Sequence, residues 1–316
     1  MLEWLWQWSM PAVGLLVFLR ILRYRRLISE WTVDYSLRWS AAAVLAVVLS
    51  NLTSSGFLSL GPGWRGTLQY LAAIMMLTPS IATLGARRPG CGPWQWFVVL
   101  PMIVVLIWPV FAQAFDTSGR TGVQLSNPQL CGFCLAALLG LGPVLGTAAT
   151  GALLLRLAAI LMALLPLRTS VSWADPAART VALVLLIESY VQEHLIRGHL
   201  LRLQEAKTDV ARANEIWRMF LTLYGTVWPR RVQDRLSQFE HGERWSVTLD
   251  ITGFQTHNGQ VPADSELPKP LVAFRWLMSR FVSSEWLLRE LPERTSGRPG
   301  KPELPAAHTS QVEKTN

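Results

Sequence analysis

The chain reads as an α-helical integral membrane protein of six or seven membrane-spanning helices, with a small α/β soluble module towards its C-terminal end. Three observations lead there. Between residues 39 and 167 the sequence repeatedly runs 17 to 22 residues with almost no formal charge, and a hydrocarbon layer about 30 Å thick is crossed by about 20 helical residues. Hydrophobic residues make up 51% of the 316 and charged ones only 16%, below the roughly 25% of soluble globular domains. Arginines gather at alternate connections, the asymmetry that orients membrane helices.

The first span is expected at 4–22, where Trp4, Trp6 and Trp8 precede an apolar run and Arg20, Arg23, Arg25 and Arg26 follow it. Basic residues after the apolar run, rather than before it, mark a retained signal-anchor-like helix. A helix lying flat in the interface is the alternative. Spans at 39–60, 67–86 and 94–115 come next, separated by Gly61-Pro62-Gly63 and by Arg87-Arg88-Pro89-Gly90, which break helices. Trp39, Trp64, Trp94 and Trp96 fall near their ends, where an indole keeps its N–H wet and its ring in the headgroup layer. Residues 130–167 are apolar over 38 positions. As one helix that run would measure about 57 Å at ~1.5 Å per residue, so it folds back. Gly140, Gly142, Pro143 and Gly146 put the turn between spans at 130–146 and 147–167. The last span, 179–196, is interrupted by Glu188, Glu193 and His194. If it crosses, the short loops hold seven arginines on one face against four on the other, which sets the N-terminus outside and the C-terminus in the cytoplasm of a cell (inner) membrane.

Residues 197–291 change to a soluble composition and form the cytoplasmic module. An amphipathic helix is expected over 204–223, a second from about Pro229, a strand over 245–254 from its alternating pattern, and a helix over 271–288. Residues 292–316 are too polar to bury a core and read as disordered. Glu215-Ile216-Trp217-Arg218-Met219-Phe220, Val227-Trp228-Pro229-Arg230-Arg231-Val232-Gln233-Asp234-Arg235, the 245–254 strand, Phe281-Val282-Ser283-Ser284-Glu285-Trp286 and Leu84-Gly85-Ala86-Arg87-Arg88-Pro89-Gly90 together resemble a family of uncharacterised bacterial multi-pass membrane proteins. The resemblance covers most of the chain and implies this architecture. It brings no catalytic residue with it.

Two constellations carry chemistry. Cys131-Gly132-Phe133-Cys134 is a CxxC at the outer end of a helix, where the dipole favours thiolates. A membrane thiol–disulfide oxidoreductase would use it, but the second pair that relays electrons is missing. The alternative is a pair of small apolar residues packed one turn apart. Arg156 stands in the middle of a span, flanked by leucines, and a charge at that depth costs about 3 kcal/mol or more unless it has a partner. Arg156 and Glu188 come out at the same depth, roughly 12–14 Å from the inner face at ~1.5 Å per residue, and are expected to pair. Glu193 and His194 lie about one turn nearer the cytoplasm and would extend an ion or proton path. A purely structural pair is the alternative.

The formal charge of +8 sits beside membrane segments, so anionic headgroups rather than nucleic acid are the nearer partner. No P-loop, dinucleotide glycine motif or Gly-x-Ser-x-Gly occurs, and no metal or cofactor is expected. The leading expectation is a non-enzymatic accessory or scaffold protein whose cytoplasmic module binds a partner through exposed Trp217 and Trp228. A small secondary transporter using Arg156 and Glu188, and a thiol oxidoreductase using Cys131 and Cys134, are the other two.

Overall fold

The structure, a computed structural model, describes residues 2–54, 58, 62–87, 91–114, 123, 125–168 and 174–292. A bundle is built from α1 (Leu2–Leu27), α2 (Asp34–Ser54), α3 (Pro62–Leu84), α4 (Cys91–Trp94), α5 (Leu100–Ala114), α6 (Asn127–Leu141), α7 (Thr150–Arg168) and α8 (Ala174–Glu205). A π-helical stretch, Gln95–Val99, joins α4 to α5, so 91–114 is one rod. Five runs are long and apolar enough to cross a membrane: Asp34–Thr53, Trp64–Leu84, Gly92–Ala112, Asn127–Val144 and Thr150–Leu167. They carry Leu45, Phe97, Val105, Leu138 and Leu161 on exposed faces, a load of apolar surface that suits lipid rather than water. Their shared core holds Tyr70, Ala73, Ile74, Leu77, Ala159 and Ile160, and its small residues let the helix backbones approach closely.

The hairpin expected within 130–167 turns at Gly142–Val144, a single 3₁₀ turn begun by Pro143. Thr147 and Thr150 hydroxyls then donate to the carbonyls of Val144 and Thr147, which satisfies acceptors that the turn leaves open. α8 is 32 residues long, about 48 Å at ~1.5 Å per residue. It runs unbroken through the domain boundary expected at 196/197.

Beyond it lie α9 (Asp209–Tyr224), α10 (Val227–Glu243), β1 (Val247–Asp250), β2 (Gly253–Thr256), α11 (Pro268–Met278) and α12 (Ser284–Glu290). Three expectations change here. The helix expected over 204–223 is divided, because Thr208 accepts a hydrogen bond from Ala211 N at 3.2 Å and so caps a new helix. The single strand expected over 245–254 is broken by a turn at Ile251 and Thr252 into an antiparallel hairpin, with Leu249 opposite Phe254, since one strand alone would leave its backbone groups unpaired. The helix expected over 271–288 breaks before Ser284. There the Phe281 carbonyl accepts from Thr32 N at 2.8 Å and Ser283 N donates to the Glu30 carbonyl at 2.9 Å.

Those last two bonds show that the α1–α2 connector belongs to the C-terminal core. Ile28, Trp31 and Val33 are buried with Trp217, Phe220, Tyr224, Phe274 and Phe281. Trp217 and Trp228, expected at the surface, are 0% and 8% exposed. α9 places Ala213, Ile216, Trp217, Phe220 and Tyr224 on one buried face, at the spacing of a helix that packs inward.

The module docks on the bundle end formed by the α6–α7 turn and the end of α3. Thr226 N donates to the Pro143 carbonyl at 2.7 Å. Gly225 has φ +68°, and a Cβ there would sit 2.6 Å from the same carbonyl oxygen. Both facts demand glycine. Trp228 Nε1 donates to the Leu84 carbonyl at 2.9 Å and Thr32 Oγ1 to the Ala86 carbonyl at 2.6 Å. Residues 293–316, Gly61, Arg88, Pro89, Gly90, Phe115 and Arg120 lie outside the described residues, as do the side chains of Trp4, Trp6 and Trp8.

Candidate functional site

Arg156 of α7 and Glu188 of α8 meet inside the bundle, with Nη2 2.6 Å from Oε1 and side chains 16% and 4% exposed. Gln192, one turn along α8 from Glu188, donates from Nε2 to the same carboxylate oxygen at 2.8 Å. Arg156 Nη1 reaches Ser80 Oγ of α3 at 3.3 Å. Arg156 thereby ties α7 to both α3 and α8. Ionised partners in so dry a place persist only when each is hydrogen-bonded as well as paired.

Two cavities share this pair. One of about 100 Å³ extends from it towards the module, past Ser36, Ser80 and Thr83 to Thr222 and Tyr224. The other, about 50 Å³, extends one to two turns the opposite way along α1, α2 and α8, past Arg20, Ala43, Val44, Leu185 and Ser189. Tyr24, Leu37, Ser40 and Gln192 border both. The lining comes from short side chains in helical register: Ser36 and Ser40 four apart on α2, Ser80 and Thr83 three apart on α3. Pro79 of α3 also lines the second cavity and supplies no backbone N–H to its own helix. The module-side cavity, with its several hydroxyls, has the polar lining that a buried water needs, whereas the other is walled mainly by apolar side chains such as Val17, Val44 and Leu185.

Glu193 and His194 do not join this line. Glu193 is buried between α1 and α8, where Arg197 contacts it at 2.7 Å, Arg23 at 3.3 Å and Arg20 at 3.5 Å. His194 is exposed, its ring parallel to that of Tyr190 with centroids 6.2 Å apart. Cys131 and Cys134 are both free and exposed. They sit in the first turns of α6 on its outward side, not in a packed contact, while Cys91 begins α4 at the other end of the bundle. Among the described residues no cluster of three or more His, Cys, Asp or Glu could hold a metal ion.

No protein-family model, curated protein or solved structure matches the chain. The site therefore stands on its own geometry.

A second polar cluster, unmarked by any sequence motif, joins α8 to α9. His199 Nδ1 lies 2.5 Å from Glu215 Oε1, and Nε2 lies 3.0 Å from Thr222 Oγ1. Arg202 and Arg218 donate to Glu215 at 2.9 and 3.0 Å. Burial holds His199 below its ordinary value of 6.5, outweighing the pull of Glu215 in the other direction. The Thr222 hydroxyl donates to the Arg218 carbonyl at 2.9 Å, so its oxygen accepts from His199 Nε2, while Nδ1 faces both Glu215 and, at 2.9 Å, Arg202 Nη2. Burial raises the pKa of Glu215, but the hydrogen bonds from His199 and Arg202 outweigh it and keep the carboxylate below the ordinary 4.5. The signal in the sequence was the placement of His199 and Arg202 one turn apart on a helix, facing a lone glutamate among the apolar residues of the next.

Proposed function

We propose that the chain is a seven-helix integral membrane protein, with its C-terminal module in the cytoplasm, that works as a small proton-linked secondary transporter centred on Glu188. The observation that carries this reading is the buried Arg156–Glu188 pair standing between two cavities, the module-side one lined by the hydroxyls of Ser36, Ser80 and Thr83. An ionisable pair inside a bundle and beside such cavities is the usual mark of an ion or solute path. The seven-helix count adds α1 and α8 to the five apolar runs, since both lie alongside them and end at the module.

In this reading Glu188 takes a proton from water in the module-side cavity, which neutralises it and loosens its hold on Arg156. It releases the proton to the other cavity, and the pair re-forms. Re-forming the pair with Arg156 returns the site to its starting arrangement. The accessory reading loses its docking surface, because Trp217 and Trp228 are core residues.

Proton flux into vesicles tests this directly. Proteoliposomes loaded with pyranine and polarised with potassium and valinomycin are expected to acidify faster than empty vesicles. Glu188→Gln should bring that rate down to the empty-vesicle level while the protein stays monodisperse. Equal rates for the wild type and Glu188→Gln sink the proposal, and no wild-type flux returns the accessory reading to first place.

A further inference from the structure

A groove of about 720 Å³ opens where the outward side of α6 meets the module. Leu138 and Leu139 of α6, Trp94 of α4, Gly85 after α3, and Val227 and Trp228 of α10 wall it. Leu138 and Leu139 are 65% and 60% exposed on a helix apolar enough to cross a membrane, so the groove continues the lipid-facing surface. Gly85 makes room for the wall. A Cβ there would lie 2.0 Å from Trp94 Cγ.

Two arginines mark its polar end. The guanidinium carbons of Arg87 and Arg231 lie 5.4 and 4.8 Å from the centre of the Trp228 ring. That ring is held in place by its own hydrogen bond to the Leu84 carbonyl. Among the described residues no acidic side chain lines the groove, and Arg230, on the same turn as Arg231, does not line it. Indoles belong at the headgroup level, guanidinium groups hold phosphate with charge-assisted hydrogen bonds, and the apolar wall runs from there into the hydrocarbon.

We infer that this groove binds an anionic phospholipid of the module-side leaflet, its phosphate at Arg87 and Arg231 and an acyl chain along Leu138 and Leu139. A soluble anion would use the arginines but leave the leucine wall bare. The inference rests on α3 to α6 crossing the bilayer and is independent of proton transfer at Glu188.

The test is lipid retention by the full chain purified in detergent, read by native mass spectrometry and by thermal unfolding with dioleoylphosphatidylglycerol or dioleoylphosphatidylcholine added. Phosphatidylglycerol is expected to stay bound and raise the melting temperature, and phosphatidylcholine to do neither. Arg87→Gln and Arg231→Gln should each weaken retention about fivefold, the usual effect of one basic residue at an anionic surface, while Arg230→Gln leaves it unchanged. Both arginines are exposed, and if Arg87→Gln fails to fold, Arg231→Gln alone carries the comparison. Equal retention of the two lipids, wild-type retention by the arginine variants, or the same stabilisation by millimolar inorganic phosphate would each overturn the inference. Because retention is read without any gradient, it can fail while flux at Glu188 stands, and the reverse.

Discussion

Arg156 is the residue on which the bundle's stability is most exposed to a single change. Removing one member of a buried pair strands the other, at a cost of about 3 kcal/mol or more, so Arg156→Leu is expected to lower the melting temperature in detergent strongly. Adding Glu188→Leu should recover most of the loss, because two apolar residues suit that depth. Glu188→Gln removes the countercharge but still accepts from Arg156 through its amide oxygen, so it should cost less than Glu188→Leu alone. If the double variant melts below the single one, the pair is held by more than its two charges. The pairing of Arg156 with Glu188 was legible in the sequence because the rise per residue is fixed, which sets the two level on neighbouring helices. Azimuth was harder. At ~100° per residue Gln192 returns to within about 40° of Glu188, whereas Glu193 is turned about 140° away, towards α1 and its arginines.

Elements meet where α8 passes into α9, and the electrostatics there have a direction. The unfolded chain protonates His199 near 6.5, while the buried ring resists the proton to lower pH. Stability is therefore complete above that value and falls as the pH drops below it. Glu215, depressed from 4.5, adds a second loss below its own ordinary value. Thermal unfolding followed from pH 8 down to pH 4 should show both declines, and His199→Gln should remove the upper one. A melting temperature flat across the upper range would mean that folding leaves the proton affinity of the ring unchanged. The sequence marked this joint poorly, since neither His199 nor Glu215 belongs to a recognised spacing. The α6–α7 turn was plain, because Gly142, Pro143 and Gly146 interrupt an apolar run too long for one crossing. Less visible was that its Pro143 carbonyl would receive the module. Gly225→Ala tests that seat: a Cβ at positive φ and 2.6 Å from the oxygen should destabilise by more than about 1 kcal/mol and open α9 to proteases.

At the scale of the whole molecule, sequence separation and spatial separation part company. Periodicity within a helix was readable from its own residues, and so were the five apolar runs. The membership of Ile28, Trp31 and Val33 in the C-terminal core was not, because no local pattern announces a partner at the far end of the chain. Trp31→Ala is expected to cost about 3–5 kcal/mol, the range for emptying a buried aromatic site, and to expose α10 to α12 to limited proteolysis although it lies before the second apolar run. Orientation can be read with an impermeant thiol reagent on intact cells. Cys131 and Cys134 should label and a cysteine at Ser237 should not; the opposite pattern would invert the topology. Ser283 bonds to Glu30 across 253 residues of chain. At a synthesis rate of about 5–20 residues per second, Glu30 and Trp31 leave the ribosome roughly 13–50 s before their partners. For that interval the half-made protein shows the cell an uncovered tryptophan, so folding here is a matter of timing as well as of contacts.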